Sequence, residues 1–84
     1  MIDAVLPLPV SLKWVAYACR MAGAAKPRWS RERSTWTTTT RDETLRITSP
    51  APHVVRIDSD SDTAHRLVTA FYTGMRAHAR LAAA

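Results

Sequence analysis

The run Ser34-Thr35-Trp36-Thr37-Thr38-Thr39-Thr40, the triplet Arg41-Asp42-Glu43, the run Thr44-Leu45-Arg46-Ile47-Thr48 and, past Ser49-Pro50-Ala51-Pro52, the run His53-Val54-Val55-Arg56-Ile57 decide the fold class. The first run is almost wholly β-branched and aromatic, and the second alternates polar with apolar, the two-residue period of a strand buried on one face. Arg41-Asp42-Glu43 is a polar turn, so these two runs read as a hairpin. Proline has no N–H to give a ladder, so Ser49-Pro50 is expected to end the second strand. Strands are thus predicted over about 34–40, 44–49 and 53–58, joined by short connections into an antiparallel meander. In that register Trp36, Thr38, Leu45, Ile47, Val55 and Ile57 share the buried face, and Thr35, Thr37, Arg46, Thr48 and Arg56 face water.

Helical periodicity flanks the meander on both sides. Upstream, Pro7 and Pro9 lead to Ser11, a residue suited to an N-cap, and Leu12, Val15, Ala16, Cys19 and Gly23 recur on one face. A helix over about 10–23 follows, ended by Gly23 or by the Ala24-Ala25-Lys26-Pro27 stretch, where proline bars continuation. Downstream, Ser59 and Asp62 stand at the spacing of a capping box. Ala64, Leu67, Val68, Phe71, Met75 and Ala79 then form an apolar stripe, opposite Arg66, Thr69, Thr73, Arg76 and Arg80. The second helix is predicted over about 60–80, with Gly74 weakening it and Leu81 to Ala84 fraying. The expected architecture is α+β in the order α-β-β-β-α, a three-stranded antiparallel sheet with two helices packed on one face.

The totals bound what such a chain can be. With 84 residues, one small domain over 1–84 is expected. A domain of this size buries only about 60–65% of the surface its unfolded chain exposes, so oligomerisation is a natural reinforcement. A disulfide is excluded as an internal staple because Cys19 is the single cysteine. The apolar N-terminal stretch carries Asp3, Lys13 and Arg20 and two prolines, a pattern that fits neither a secretory signal nor a membrane span, and the cytoplasm is the expected compartment. Ten of the twelve bases are Arg, which with abundant Ala and Thr fits a GC-rich bacterial or phage genome.

No constellation of catalytic or metal chemistry stands out. Asp58-x-Asp60-x-Asp62 has the alternating carboxylates of a calcium loop, but Thr63 and Thr69 occupy the positions where such a loop needs glycine and glutamate. Acids there suit a helix N-terminus instead. His53, His65 and His78 are too dispersed for a zinc pair, and two glycines cannot build a phosphate-cradling loop. The expectation is a protein without enzymatic activity, cofactor or metal.

Two surfaces remain as candidates for binding. On the first helix Trp14, Tyr17, Ala18 and Met21 recur on a second apolar face, and only Lys13 and Arg20 are charged. A helix apolar on nearly all sides must be covered by its own domain or by another chain. Aromatic and Met side chains are enriched at interfaces, which makes a homodimer or another protein the expected partner and a regulatory protein acting through protein contacts the leading reading. The other candidate is charge. At a net +5 and a pI near 10.4, the surplus lies in residues 26–46 and 66–84, while Asp58, Asp60 and Asp62 outweigh Arg56 between them. Lys26, Arg28, Arg31 and Arg33 surround Trp29 in a connector, and with Arg46 and Arg56 on the sheet face they suit a phosphate backbone and a stacked base. Nucleic-acid binding is therefore the alternative reading.

The α-β-β-β-α order resembles that of double-stranded RNA-binding domains. In that family the second helix opens on a lysine-rich motif that grips phosphates, whereas Ser59-Asp60-Ser61-Asp62-Thr63-Ala64-His65-Arg66 carries acids. The resemblance implies a topology and not that mode of phosphate binding.

Overall fold

The computed structural model describes residues 1–83. The chain is α+β, with two helices and a five-stranded antiparallel sheet. In order come β1 (Ile2–Val5), α1 (Leu12–Met21), β2 (Arg28–Ser30), β3 (Thr35–Thr39), β4 (Thr44–Ala51), β5 (Val54–Ile57) and α2 (Asp62–Ala83). The sheet order is β1-β5-β4-β3-β2, so the expected three-stranded meander forms its middle and gains one strand on each side. Those two additions correct the expected strand count. Neither leaves a strong local signal: β1 has four residues and pairs with β5, far along the chain, and β2 has three. Both are edge strands, which are commonly short.

Alternation along the strands works as the sequence implied. Trp36 lies opposite Ile47 and Thr38 opposite Leu45, while Ile47 lies opposite Ile57, so their side chains share one face. Leu45, Ile47, Val55 and Ile57 have no exposed surface and join Val15, Ala18 and Cys19 of α1 with Ala64, Leu67, Phe71 and Met75 of α2 in one core. Ile2 and Ala4 of β1 extend that face. Thr38 is polar within it, but its hydroxyl donates to the Ala25 carbonyl at 2.5 Å. Among the described residues no buried side-chain polar atom lacks a partner. Thr35 departs from expectation: it is 7% exposed, its hydroxyl turned to donate to the Arg33 carbonyl at 2.8 Å.

Pro50 does not end β4. The strand runs on to Ala51 through a register shift between Thr48 and Ala51, a bulge that accommodates the missing N–H. The Ser49 hydroxyl binds the carbonyls of Ala51 and Val54 there, at 2.6 and 2.8 Å.

Helix ends follow local chemistry with some shifts. Ser11 is the N-cap of α1 in extended conformation, yet its side chain makes no capping bond. At the other end Gly23 has φ 77°, and the Ala24 and Gly23 N–H groups donate to the carbonyls of Cys19 and Arg20. This is a Schellman closure, which favours glycine at that position. For α2 the cap is Ser61, whose hydroxyl accepts from the Ala64 N–H at 3.3 Å, and not Ser59. Ser59 instead accepts from the Ser61 N–H, and both hydroxyls donate to the Glu43 carboxylate of the β3–β4 turn. Helical structure continues through Ala83, past the expected stop at residue 80, and Ala84 lies outside the described residues. The β-α-β-β-β-β-α order thus departs from the α-β-β-β-α pattern of double-stranded RNA-binding domains.

Candidate functional site

The second apolar face of α1 is turned to its own domain. Trp14 and Tyr17 meet edge to face with ring centroids 5.6 Å apart, and Trp14 meets His78 of α2 at 5.7 Å. Tyr17 lies over Gly74: a Cβ placed on that glycine would come within 3.0 Å of Tyr17 Cζ and 3.1 Å of Trp14 Cζ3. Gly74 is therefore the notch that admits the two rings, a role its weak helix propensity alone did not reveal. Ala18 is wholly buried in the core, while Met21 is 60% exposed. Of the four residues on this face, Met21 is the one with a largely open side chain.

The connector from Lys26 to Ser34 is not a plain loop: it supplies the first strand and the turn of a β2–β3 hairpin. Trp29 lies opposite Trp36, Arg28 opposite Thr37 and Ser30 opposite Thr35. Arg31, Glu32, Arg33 and Ser34 make the turn, closed by Ser34 at φ 48°. Before the hairpin, the Ala25 N–H donates to the Thr39 carbonyl at 2.9 Å, and Pro27 is buried. These bonds fasten the stretch between α1 and β2 along the end of β3. Trp36 packs against the core, and Trp29 lies against Trp36 with centroids 4.5 Å apart at 49° and half of its surface exposed.

Two shallow concavities flank the fastened stretch and share Lys26 and Pro27. One, of about 750 Å³, is lined by Lys13, Arg20 and Lys26 together with Ala16, Tyr17, Ala24 and Pro27. The other, of about 730 Å³, is lined by Ala25, Lys26, Pro27, Arg28 and Thr37 to Thr39. Neither has an acidic lining residue. Lys13 and Arg20 were not among the sequence-derived candidates, although their seven-residue spacing places them on one helical face. What brings that face to Lys26 is the Schellman turn.

Arg46 and Arg56 stand elsewhere, on the open sheet face. Arg56 donates through Nε and an Nη to both carboxylate oxygens of Asp3, at 2.8 and 2.9 Å. The hydrogen bond from Arg56 holds the Asp3 carboxyl below its ordinary range, and the same bond raises Arg56. Asp58 accepts from the Arg46 backbone N–H at 2.9 Å and lines one small concavity with Arg46 and Arg56. This face therefore alternates bases with acids. Among the described residues the Asp3–Arg56 contact is the one ion pair, so Lys13, Arg20, Lys26, Arg28, Arg31 and Arg33 have no carboxylate within ion-pair distance.

Other chemistry is limited. Cys19 is buried, and desolvation pushes its thiol pKa up, which keeps it protonated and hidden rather than nucleophilic. Asp58, Asp60 and Asp62 do not gather with a further ligand: among the described residues there is no group of three or more His, Cys, Asp or Glu placed to hold a metal ion. Nor is any helix among them long and apolar enough to cross a membrane. Comparisons with family models, with curated proteins and with solved structures found no match for this chain.

Proposed function

We propose that this protein is a non-enzymatic nucleic-acid-binding module that holds a phosphate backbone along β2 and the face of α1 that carries Lys13 and Arg20. The observation that carries the reading is the pair of concavities sharing Lys26, whose linings bring Lys13, Arg20, Lys26 and Arg28 together with no acidic residue. Cations left unpaired at a fold's surface are available to replace the counterions condensed on a nucleic acid, which is the main source of sequence-independent affinity. The two concavities that share Lys26 add a floor against which a chain can lie. Protein contact through the Trp14 face is the weaker reading. Leu12 and Met21 are 57% and 60% exposed, but their spacing puts them on opposite sides of α1, so they do not join into one apolar patch.

The test is binding to a mixed pool of DNA and RNA, followed by light scattering or anisotropy between about 50 and 200 mM salt. The expected result is affinity that falls linearly on a log–log plot, with a slope near 0.7 to 0.9 per phosphate neutralised, as a rough guide. Lys26→Glu with Arg28→Glu should flatten that slope and weaken binding while the fold is retained. Affinity indifferent to salt, or a stronger preference for an acidic polypeptide, would overturn the proposal in favour of a protein partner.

A further inference from the structure

Within that reading, on which this step rests, we infer that the β2 edge selects single-stranded over duplex nucleic acid, with Trp29 as the platform for an unpaired base. An indole exposed over half its surface on an edge strand has few structural reasons to stay in one orientation. Here Trp36, anchored against the core, lies against it at 4.5 Å and provides one. The result is a flat apolar surface, held in place and accessible. Alternation along β2 places Arg28 and Trp29 on opposite sides of the strand, while Arg31 and Arg33 stand at the hairpin turn.

A strand of nucleic acid running along this edge meets cations on one side and an aromatic surface on the other. Backbone charge and base stacking are the two interactions that proteins combine to hold single strands without reading sequence. A duplex has its bases already stacked and paired, so it can use the cations but not the indole. A general polyanion, such as an acidic polypeptide, has no base for Trp29 to stack against.

The experiment compares a mixed-sequence oligonucleotide of about 16 nucleotides, near the upper site size of a small single-strand-binding fold, with its duplex at low and raised salt. Wild type, Trp29→Ala and Trp29→Tyr are measured, with thermal unfolding of each as a check that Trp36 still packs. Wild type is expected to prefer the single strand. Trp29→Ala should lose roughly 5- to 150-fold of that affinity, the fold-change that stacking one base corresponds to, and leave duplex binding and the salt slope nearly unchanged. Trp29→Tyr should recover much of the loss. Equal affinity for both forms, unaffected by Trp29→Ala, would overturn the inference and leave the basic-edge reading standing. Absence of salt-dependent binding to either form would remove both.

Discussion

Trp14 and Trp29 each lie against another aromatic ring, yet their surroundings differ in kind. Trp14 is half-buried between Tyr17 and His78, in a seam where α2 supplies a glycine notch for the rings. Trp29 lies against Trp36 at the edge of the sheet, half exposed, on a strand next to a basic turn. In the first region the domain covers its own apolar surface, so the interactions serve stability. In the second it leaves both an aromatic ring and unpaired cations at the surface, a combination that adds little to folding. Exposed bases are worth little to a fold even when paired. The contrast marks the α1–α2 seam as the region that serves stability, and it is the β2 edge on which the proposed binding rests.

That division is open to test, and the largest effect belongs to the seam. Gly74→Ala should destabilise the protein: overpacking against Tyr17 and Trp14 costs about 1–3 kcal/mol, partly offset by about 1 kcal/mol of better helix propensity. In a Tyr17→Ala background the shortest contacts are gone and only Trp14 Cζ3 remains near, at 3.1 Å, so the same substitution should cost much less or become neutral. Thermal or urea unfolding of the four proteins reads the cycle, and stabilisation by Gly74→Ala in wild type would mean the seam is loosely packed. The β2 edge should respond in the opposite sense. Arg31→Ser with Arg33→Ser is expected to shift unfolding free energy by no more than about 0.5 kcal/mol while reducing the salt dependence of nucleic-acid binding. A large loss of stability would show that the turn arginines are structural.

The smallest effect comes from the Asp3–Arg56 ion pair. Arg56 depresses the Asp3 pKa, so the stabilisation from this pair is present above the unfolded carboxyl's pKa and is lost as pH falls through the lower folded value. Both partners are exposed, so the contribution is modest and screened by salt. Asp3→Asn should therefore narrow the gap in stability between neutral and acid pH slightly. If the wild-type and Asp3→Asn curves coincide at low salt, the pair adds nothing to the fold.

Much of the architecture was legible in the residues themselves. Val55 and Ile57, Leu45 and Ile47, and the stripe from Ala64 to Met75 declare their buried faces by period alone, because a side chain's direction is set by backbone geometry within a few residues. The two helices, the antiparallel central strands and the glycine closure of α1 follow from the same local rules. Edge strands β1 and β2 escaped because they are too short to show a period, and their pairing partners, not their composition, make them strands. For the site, Lys26, Arg28, Trp29, Arg31 and Arg33 could be picked out as a charged aromatic segment, but whether they lie on a loop or a strand depended on Trp36 opposite Trp29.

What covers the second face of α1, which bases are left unpaired and how Lys13 and Arg20 come to flank Lys26 were decided only by the tertiary structure. Period and composition report which surfaces need covering and which residues carry charge. They say nothing of which distant element arrives to cover the one or neutralise the other, because those contacts join positions such as Tyr17 and Gly74, or Asp3 and Arg56, that local backbone geometry does not connect.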